Sequence, residues 1–314
     1  MSLINFADQI TEQMKRKKSR VIVGLDPALE HAPQSLQGGE IATLGLGTRA
    51  IDHGRQWAMR EFCERIIEAT ADIAVGYKVQ LAYFERFGSA GLNILERLLL
   101  EHEEKLFILD GKRGDIGATS EAYADAYFHD YSEEDKSPLL CDAVTLNGYL
   151  GRDALEPFFK HLAKDKGAFV LAKTSNPSSG DLQDLKIGDE PVYVHMARLV
   201  HEWGLDYVGK CGYSALGLVV GATYPEAARA VREVAPKSLI LVPGIGVQGG
   251  KPKDAQAFCG ADGCGAVFNF SRSIIYAHKF GPFADEHEDE DFAKAARVAA
   301  EYYRASLNDV LGEP

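Results

Sequence analysis

The stretch L-F-I-L-D-G-K-R-G-D-I-G-A-T, Leu106 to Thr119, decides how this chain folds. Its first four residues are apolar without alternation, the mark of a strand buried on both faces in a parallel sheet. Asp110, Lys112, Arg113 and Asp115 then follow within six positions. A buried strand ordinarily ends in neutral turn residues, and crowding charges there costs desolvation and mutual repulsion. Such an arrangement points to chemistry. Asp110 and Lys112 stand two apart, hence on one side of the chain if the strand continues. Lys112 then becomes an ammonium held beside an anion, positioned to donate a proton.

Working outward, comparable apolar runs occur at 20–25, 73–79, 105–109, 142–146, 168–172, 216–220, 239–242 and 266–268. Helical patterns separate them at 55–70, 93–103, 120–131, 192–203 and 225–234. A last one spans 291–310, where Ala295, Val298, Ala299 and Tyr302 follow the spacing of one buried helix face. About eight βα units predict a (β/α)8 TIM barrel, a single domain over residues 1–314 with insertions in its loops; a doubly wound open sheet is the alternative. Polar or glycine residues close nearly every strand: Asp26, Lys78, Asp110 with Lys112, Asn147, Thr174 with Ser175, Thr223, Gly244 with Gln248, and Ser271 with Arg272. A barrel gathers all of these at one mouth, whereas an open sheet spreads them along a line.

Two segments read as insertions: Glu30 to His53, glycine-rich and weakly patterned, and Ser175 to Glu190, turn-rich and placed to cover the mouth as a lid. The acidic stretch Asp285 to Asp291 reads as a solvated loop. Met1 to Ser19 is an amphipathic helix pattern with Leu3, Phe6, Ile10 and Met14 on one face, followed by basic Lys15 to Lys18. It lacks the apolar core and cleavage site of a signal peptide.

With 314 residues, 46% of them hydrophobic, the chain has enough apolar content for a large core. A formal charge of -12 argues against nucleic acid or an anionic membrane surface as partner. No apolar run approaches the roughly 18 residues of a membrane span. Five cysteines are odd in number and scattered, and Cys259 and Cys264 have no second pair to complete a zinc set. No metal is therefore expected, and a reducing cytoplasm is the expected setting. Asn269-Phe270-Ser271 matches a glycosylation sequon, but nothing else suggests secretion. None of the nine histidines falls in a strand-end motif; His102 and His161 read as helix-surface residues.

P-G-I-G-V-Q-G-G, Pro243 to Gly250, follows the seventh strand, and Ser271-Arg272-Ser273-Ile274 follows the eighth. Small residues leave backbone N–H groups open to an anion, and Arg272 supplies a guanidinium able to hold two phosphate oxygens. Loops after strands seven and eight are frequent phosphate sites in barrels. Gly244 to Gly249 also satisfies G-x-G-x-x-G, but it lies late in the chain and no acid closes the following strand, so a dinucleotide site is not expected.

These pieces together resemble the orotidine 5'-phosphate decarboxylases, most closely the longer bacterial type carrying D-x-K-R-G-D-I-G-x-T. The likeness covers nearly the whole chain: L-D-P at Leu25 to Pro27, Y-K-V-Q at Tyr77 to Gln80, the central run, K-T-S-N-P at Lys173 to Pro177, P-G-I-G-V-Q-G-G and S-R-S-I. It implies a barrel homodimer with shared active sites that converts orotidine 5'-phosphate to UMP and CO2, the last step of de novo pyrimidine synthesis, without metal or organic cofactor. Position by position, the resemblance makes Lys112 the proton donor to C6 and sets Asp110 against the departing carboxylate. Lys78 holds Asp110 and the ribose, and Asp115 reaches across the dimer interface. Asp26 and Thr119 contact ribose hydroxyls, Thr119 also from across the interface. Ile116 forms an apolar wall, Ser175 reads the pyrimidine edge, and Gln248 and Arg272 hold phosphate. Ser271 stands where family members often carry glycine.

Three other readings of the central run are an ion-pair network bracing a strand end, a magnesium-dependent sugar-phosphate decarboxylase sharing D-x-K-x-x-D, and a catalytically silent sensor of phosphate ligands. In the second, Asp110 joins other acids around Mg²⁺ to stabilise an enediolate. The third needs the phosphate grip but not Lys112 with its acids.

Overall fold

The computed structural model describes residues 4–37, 47–132, 135–246, 249–284 and 286–314. Eight parallel strands close into a barrel: β1 (Val21–Leu25), β2 (Gly76–Gln80), β3 (Phe107–Arg113), β4 (Ala143–Leu146), β5 (Gly167–Lys173), β6 (Ser214–Val220), β7 (Ser238–Pro243) and β8 (Ala266–Phe270). Each pairs with the next, and β8 returns to β1 with Val21 opposite Phe268. The reason is in the sequence: these runs are apolar on both sides, and β1, β4, β6 and β8 are buried at every position, as strands covered inside and out must be.

The principal helices are α1 (Phe6–Lys17), α2 (Gly47–Thr70), α3 (Gly88–Glu101), α4 (Gly117–Phe128), α5 (Glu156–Leu162), α6 (Val192–Gly204), α7 (Pro225–Val234) and α8 (Phe292–Leu311). Helix α1 begins where the Asn5 side chain accepts a hydrogen bond from the Ala7 N–H at 2.8 Å, which satisfies one orphan donor of the first turn. It buries Phe6, Ile10 and Met14, with Phe6 edge-on to Phe169 of β5 at 6.0 Å. Phe6 also lies against Gly167, where any side chain would collide with its ring. The start of β5 is thus closed by α1, at the end opposite the strand termini that carry the charged residues.

Several boundaries differ from the sequence reading. β2 starts at Gly76; Ile73 and Ala74 are buried in the preceding turn, so their apolarity reflects packing, while the Val75 N–H already donates to Val21 O of β1 at 2.8 Å. β3 runs four residues beyond Leu109, through the charges to Arg113. The expected insertion 30–53 is partly helix, because 47–53 open α2; 38–46 lie outside the described residues. Helix α4 stops at Phe128, and Asp130–Ser132 pairs with Asp135–Lys136 in a small antiparallel ribbon. Segment 175–190 folds as the turn Pro177–Ser179, the short helix Gly180–Gln183 and the two-residue strands Lys186–Ile187 and Glu190–Pro191.

The acidic segment is not a free loop, although Asp285 lies outside the described residues. Asp289 accepts from the Gln34 N–H at 2.7 Å and pairs with Lys279 at 3.1 Å, while Glu290 accepts from the Ser35 hydroxyl at 2.6 Å. These bonds tie it to the loop after β1. His161 is half-buried against Phe128, with ring centroids 5.4 Å apart, so it is not a plain surface residue. Among the described residues, no helix is long and apolar enough to cross a membrane.

The buried stripe of α8 is Phe292, Ala295, Ala296, Ala299, Ala300, Tyr303 and Leu307. Val298 is half-buried and Tyr302 exposed, so the face is turned by about one position from the expected one. Four alanines let α8 lie close against α2 and the barrel. Because such a face has no room for added methylenes, Ala299→Leu is expected to lower stability by about 1–3 kcal/mol. Urea unfolding followed by circular dichroism checks this, and an unchanged midpoint would contradict the close packing.

Candidate active site

At the C-terminal mouth of the barrel, a cavity of about 360 Å³ is lined by residues from all eight strands or the loops that follow them, β4 contributing Thr145. Its volume falls in the roughly 300–1,000 Å³ range of small-molecule sites. Asp26, Lys78, Asp110, Lys112, Ser175 and Arg272 all face this one space. Its apolar wall comes from Leu171, Val219, Leu241 and Ile245.

Asp110 is the centre of the charged end. One carboxylate oxygen accepts from the Lys112 ammonium at 2.6 Å and the Thr145 hydroxyl at 2.8 Å. The other accepts from the Lys78 ammonium at 2.9 Å and the Gln80 amide at 3.2 Å. Lys78 also lies 3.9 Å from Asp26. Burial alone would raise the Asp110 carboxyl, but Lys78 and Lys112 outweigh it and hold the group well below the usual carboxylate range. Burial opposes charge on Lys78 as well, and Asp110 with Asp26 reverses that, so Lys78 stays an ammonium with its pKa raised.

Lys112 reaches Asp110 by a different route from simple alternation. The β3–β4 register slips between Leu109 and Arg113, and Lys112 has φ +48°, a left-handed conformation uncommon outside glycine. The bulge turns its side chain into the mouth, where it is 44% exposed, more open than Lys78 at 5%. Arg113 goes elsewhere: it donates to the Tyr127 hydroxyl at 2.8 Å and pairs with Glu85, bracing β3 against α4. That neighbouring charge is structural.

At the far end, Gly244 and Gly246 have φ +98° and +87°, conformations that suit glycine and turn the backbone after β7 sharply. The loop is held by the Gly246 N–H donating to Gly250 O at 3.0 Å and the Gly250 N–H donating to Gly244 O at 3.1 Å. Arg272 opens the short helix after β8 and is exposed at the cavity. Gln248 lies outside the described residues. Asp115, Ile116 and Thr119 do not line this chain's cavity. Asp115 caps its own loop, accepting from the Ile116 N–H at 2.8 Å, and Ile116 is 60% exposed.

Sequence reasoning assigned no role to Gln80, Thr145 or Asn269. Thr145 carried a usable signal, a hydroxyl inside an otherwise apolar strand that is fully buried. Asn269 was legible only as a sequon, yet it is a buried cavity residue whose amide donates to the Ser271 hydroxyl at 3.2 Å, while its carbonyl oxygen has no hydrogen-bond partner among the described residues. Among the described residues, no three His, Cys, Asp or Glu side chains are grouped to hold a metal.

A model of the orotidine 5'-phosphate decarboxylase / HUMPS family matches residues 19–280. The chain belongs to that family. A family protein from Rhodopirellula baltica, named orotidine 5'-phosphate decarboxylase, is 41% identical over 302 residues, spanning 94% of this chain and 97% of the relative. Another of the same name from Caldicellulosiruptor bescii is 38% identical over 314 residues, spanning 98% and 100%. The structure of Leishmania donovani OMP decarboxylase superposes with a TM-score of 0.73 at 32% identity, covering 98% of both chains.

The charge cluster has a pH signature. A carboxyl held below its unfolded value stabilises the fold above that value, about 3.9, and loses the contribution as pH falls through and below it. Asp110→Asn leaves Lys78 buried without its carboxylate, so at pH 7 it is expected to cost about 3–5 kcal/mol. The difference from the wild type should narrow below pH about 4. Urea titrations at both pH values check this, and a pH-independent difference would contradict an ionised Asp110.

Proposed function

We infer that this chain is an orotidine 5'-phosphate decarboxylase, releasing CO2 from orotidine 5'-phosphate to leave UMP in the last step of de novo pyrimidine synthesis. The observation that carries the reading is the Lys112 ammonium, 2.6 Å from Asp110, in a cavity that Arg272 also lines. Loss of CO2 leaves negative charge on ring carbon C6, with no adjacent carbonyl to absorb it in the usual way. A fixed ammonium stabilises that charge and then supplies the proton.

The substrate carboxylate is placed against Asp110, a repulsion relieved as CO2 departs. Asp110 remains ionised beside it because two lysines hold its proton off. Its oxygens already accept from Lys78, Gln80, Lys112 and Thr145, which suits an ammonium network better than a carboxylate ligand to a divalent cation. The barrier must fall by an amount near the upper end of the usual ~8–23 kcal/mol, more than contacts to a small ring can supply. Phosphate held by Arg272, Gln248 and the glycine loop is the remote anchor whose binding energy positions the ring. Asp26 and Lys78 face the ribose, and Ser175 reads the pyrimidine edge. No metal or organic cofactor takes part in this scheme.

We further propose a homodimer of one-domain subunits with shared active sites. Asp115, Ile116 and Thr119 are absent from their own chain's cavity, and Ile116, after β3, and Tyr149 and Leu150, after the adjacent strand β4, are all exposed apolar residues. An apolar rim of this kind suits burial against a second subunit. Asp115 then completes a Lys78–Asp110–Lys112–Asp115 network in the other protomer, while Ile116 and Thr119 wall and contact its substrate. All five cysteines are unpaired, which supports a cytoplasmic setting, and the acidic chain has no nucleic-acid or membrane partner in this reading.

Purified protein should consume orotidine 5'-phosphate, followed by ultraviolet absorbance, at the same rate with and without EDTA, and Lys112→Ala should remove turnover while UMP still binds. Dependence on Mg²⁺, or a near-normal rate in K112A, would overturn the scheme. Mixed Asp110→Ala and Asp115→Ala subunits should regain activity, since one site in a hybrid dimer escapes both changes. Mixtures that stay inactive despite proven subunit exchange would refute the shared sites.

A further inference from the structure

β3 and β4 pair normally at Ile108–Ala143 and Leu109–Val144, then resume at Arg113–Leu146. Between those points, Asp110, Gly111 and Lys112 stand opposite the single residue Thr145. A bulge of this kind interrupts the ladder and leaves its extra residues without regular partners. Here the Lys112 N–H donates to the Thr145 hydroxyl oxygen at 3.0 Å. The same hydroxyl donates to Asp110 at 2.8 Å, on the oxygen that receives the Lys112 ammonium.

We propose that Thr145 is a positioning residue for decarboxylation, its hydroxyl replacing the missing ladder bond and fixing Lys112 and Asp110 relative to each other. The proposal rests on the decarboxylase reading above. A hydroxyl has one proton to donate. Because the backbone N–H occupies a lone pair, that proton is directed to Asp110, and the rotor is set from both sides. The bond also restrains the backbone at Lys112, whose φ of +48° is disfavoured for a residue with a side chain. A lysine on a flexible stem is a poor device for placing charge within a fraction of an ångström. Fixing its backbone and its carboxylate partner with one group shortens the part of the stem that remains free.

Thr145 is 1% exposed, so its shape matters to packing as well as its hydroxyl. Thr145→Val keeps the shape and removes both bonds; Thr145→Ser keeps the bonds and removes a methyl group. Loss of a hydrogen bond to a charged group predicts a kcat for T145V lower by about 10- to 100-fold. KM and the affinity for UMP should stay within about threefold, as expected when the lost interaction acts mainly in the transition state. T145S should recover to within about threefold of the wild type, although it is the variant with a packing defect.

A merely structural role for the side chain would give the opposite order in thermal denaturation and no selective loss of kcat. If T145V does not fold, Thr145→Ala against T145S makes the same comparison. A T145V or T145A enzyme at wild-type kcat, or a T145S enzyme as slow as either, would overturn the assignment. A wild-type enzyme that fails to release CO2 from orotidine 5'-phosphate would instead overturn the reading on which it rests.

Discussion

The Asp110 carboxylate, held between the ammonium groups of Lys78 and Lys112, is the interaction on which the site depends. A lone carboxylate buried as Asp110 is would be pushed towards its protonated form. Two cations, an amide and a hydroxyl keep it charged, and the carboxylate in turn keeps Lys78 charged despite its burial. Each ion is tolerated only because the others are present. The network therefore gains its value from placement rather than from stability, since desolvation offsets much of the attraction in a buried ion cluster. What it provides is an ammonium whose direction is settled before substrate arrives, so little reorganisation is left for the moment of reaction.

The barrel supplies the rigidity. Lys78 and Asp110 sit in the β2–β3 ladder, which fixes their backbones, while Lys112 lies in the bulge that follows and Asp26 just beyond the end of β1. Arg272 and the glycine loop come from β7 and β8, on the other side of β1. One closed sheet thus holds the charged cluster and the arginine with its glycine loop at a set separation, with Leu171, Val219, Leu241 and Ile245 lining the same cavity as an apolar wall. The covering segment is attached at the same rim. The buried Lys173 ammonium reaches Asp184 at 2.6 Å, and the Thr174 N–H donates to Gln183 at 2.9 Å, beside Ser175. The loop that carries Ser175 is in this way coupled to a strand end.

Much of this was legible in the sequence, for a physical reason: a parallel barrel needs strands apolar on both faces, and charges at the ends of such strands stand out. All eight strands were found on that basis, and Asp26, Lys78, Asp110, Lys112, Ser175 and Arg272 do share one cavity. What escaped notice depended on geometry that hydrophobicity does not encode. The bulge at Asp110–Lys112 leaves no mark on periodicity, so the pair was expected to meet by alternation along a regular strand. Thr145 passed as a strand residue because threonine suits strands anyway. Residues 73–74 look like strand because a buried turn needs the same apolar surface, and α2 starts in a weakly patterned stretch read as insertion. Asp289 and Glu290 looked solvated because an acidic run gives no sign of the backbone N–H and hydroxyl donors that meet it.

The most direct test of the central network is the protonation of Asp110 itself. Carbon-13 NMR of the aspartate carboxyls, with Asp110 assigned by its absence in D110N, follows that group while the protein is acidified. The expected result is a carboxyl resonance that stays at its ionised position down to pH about 3.5, below the ordinary aspartate midpoint of about 3.9. A titration at or above that ordinary midpoint would show a carboxylate not held by Lys78 and Lys112, and would contradict the preorganised ammonium.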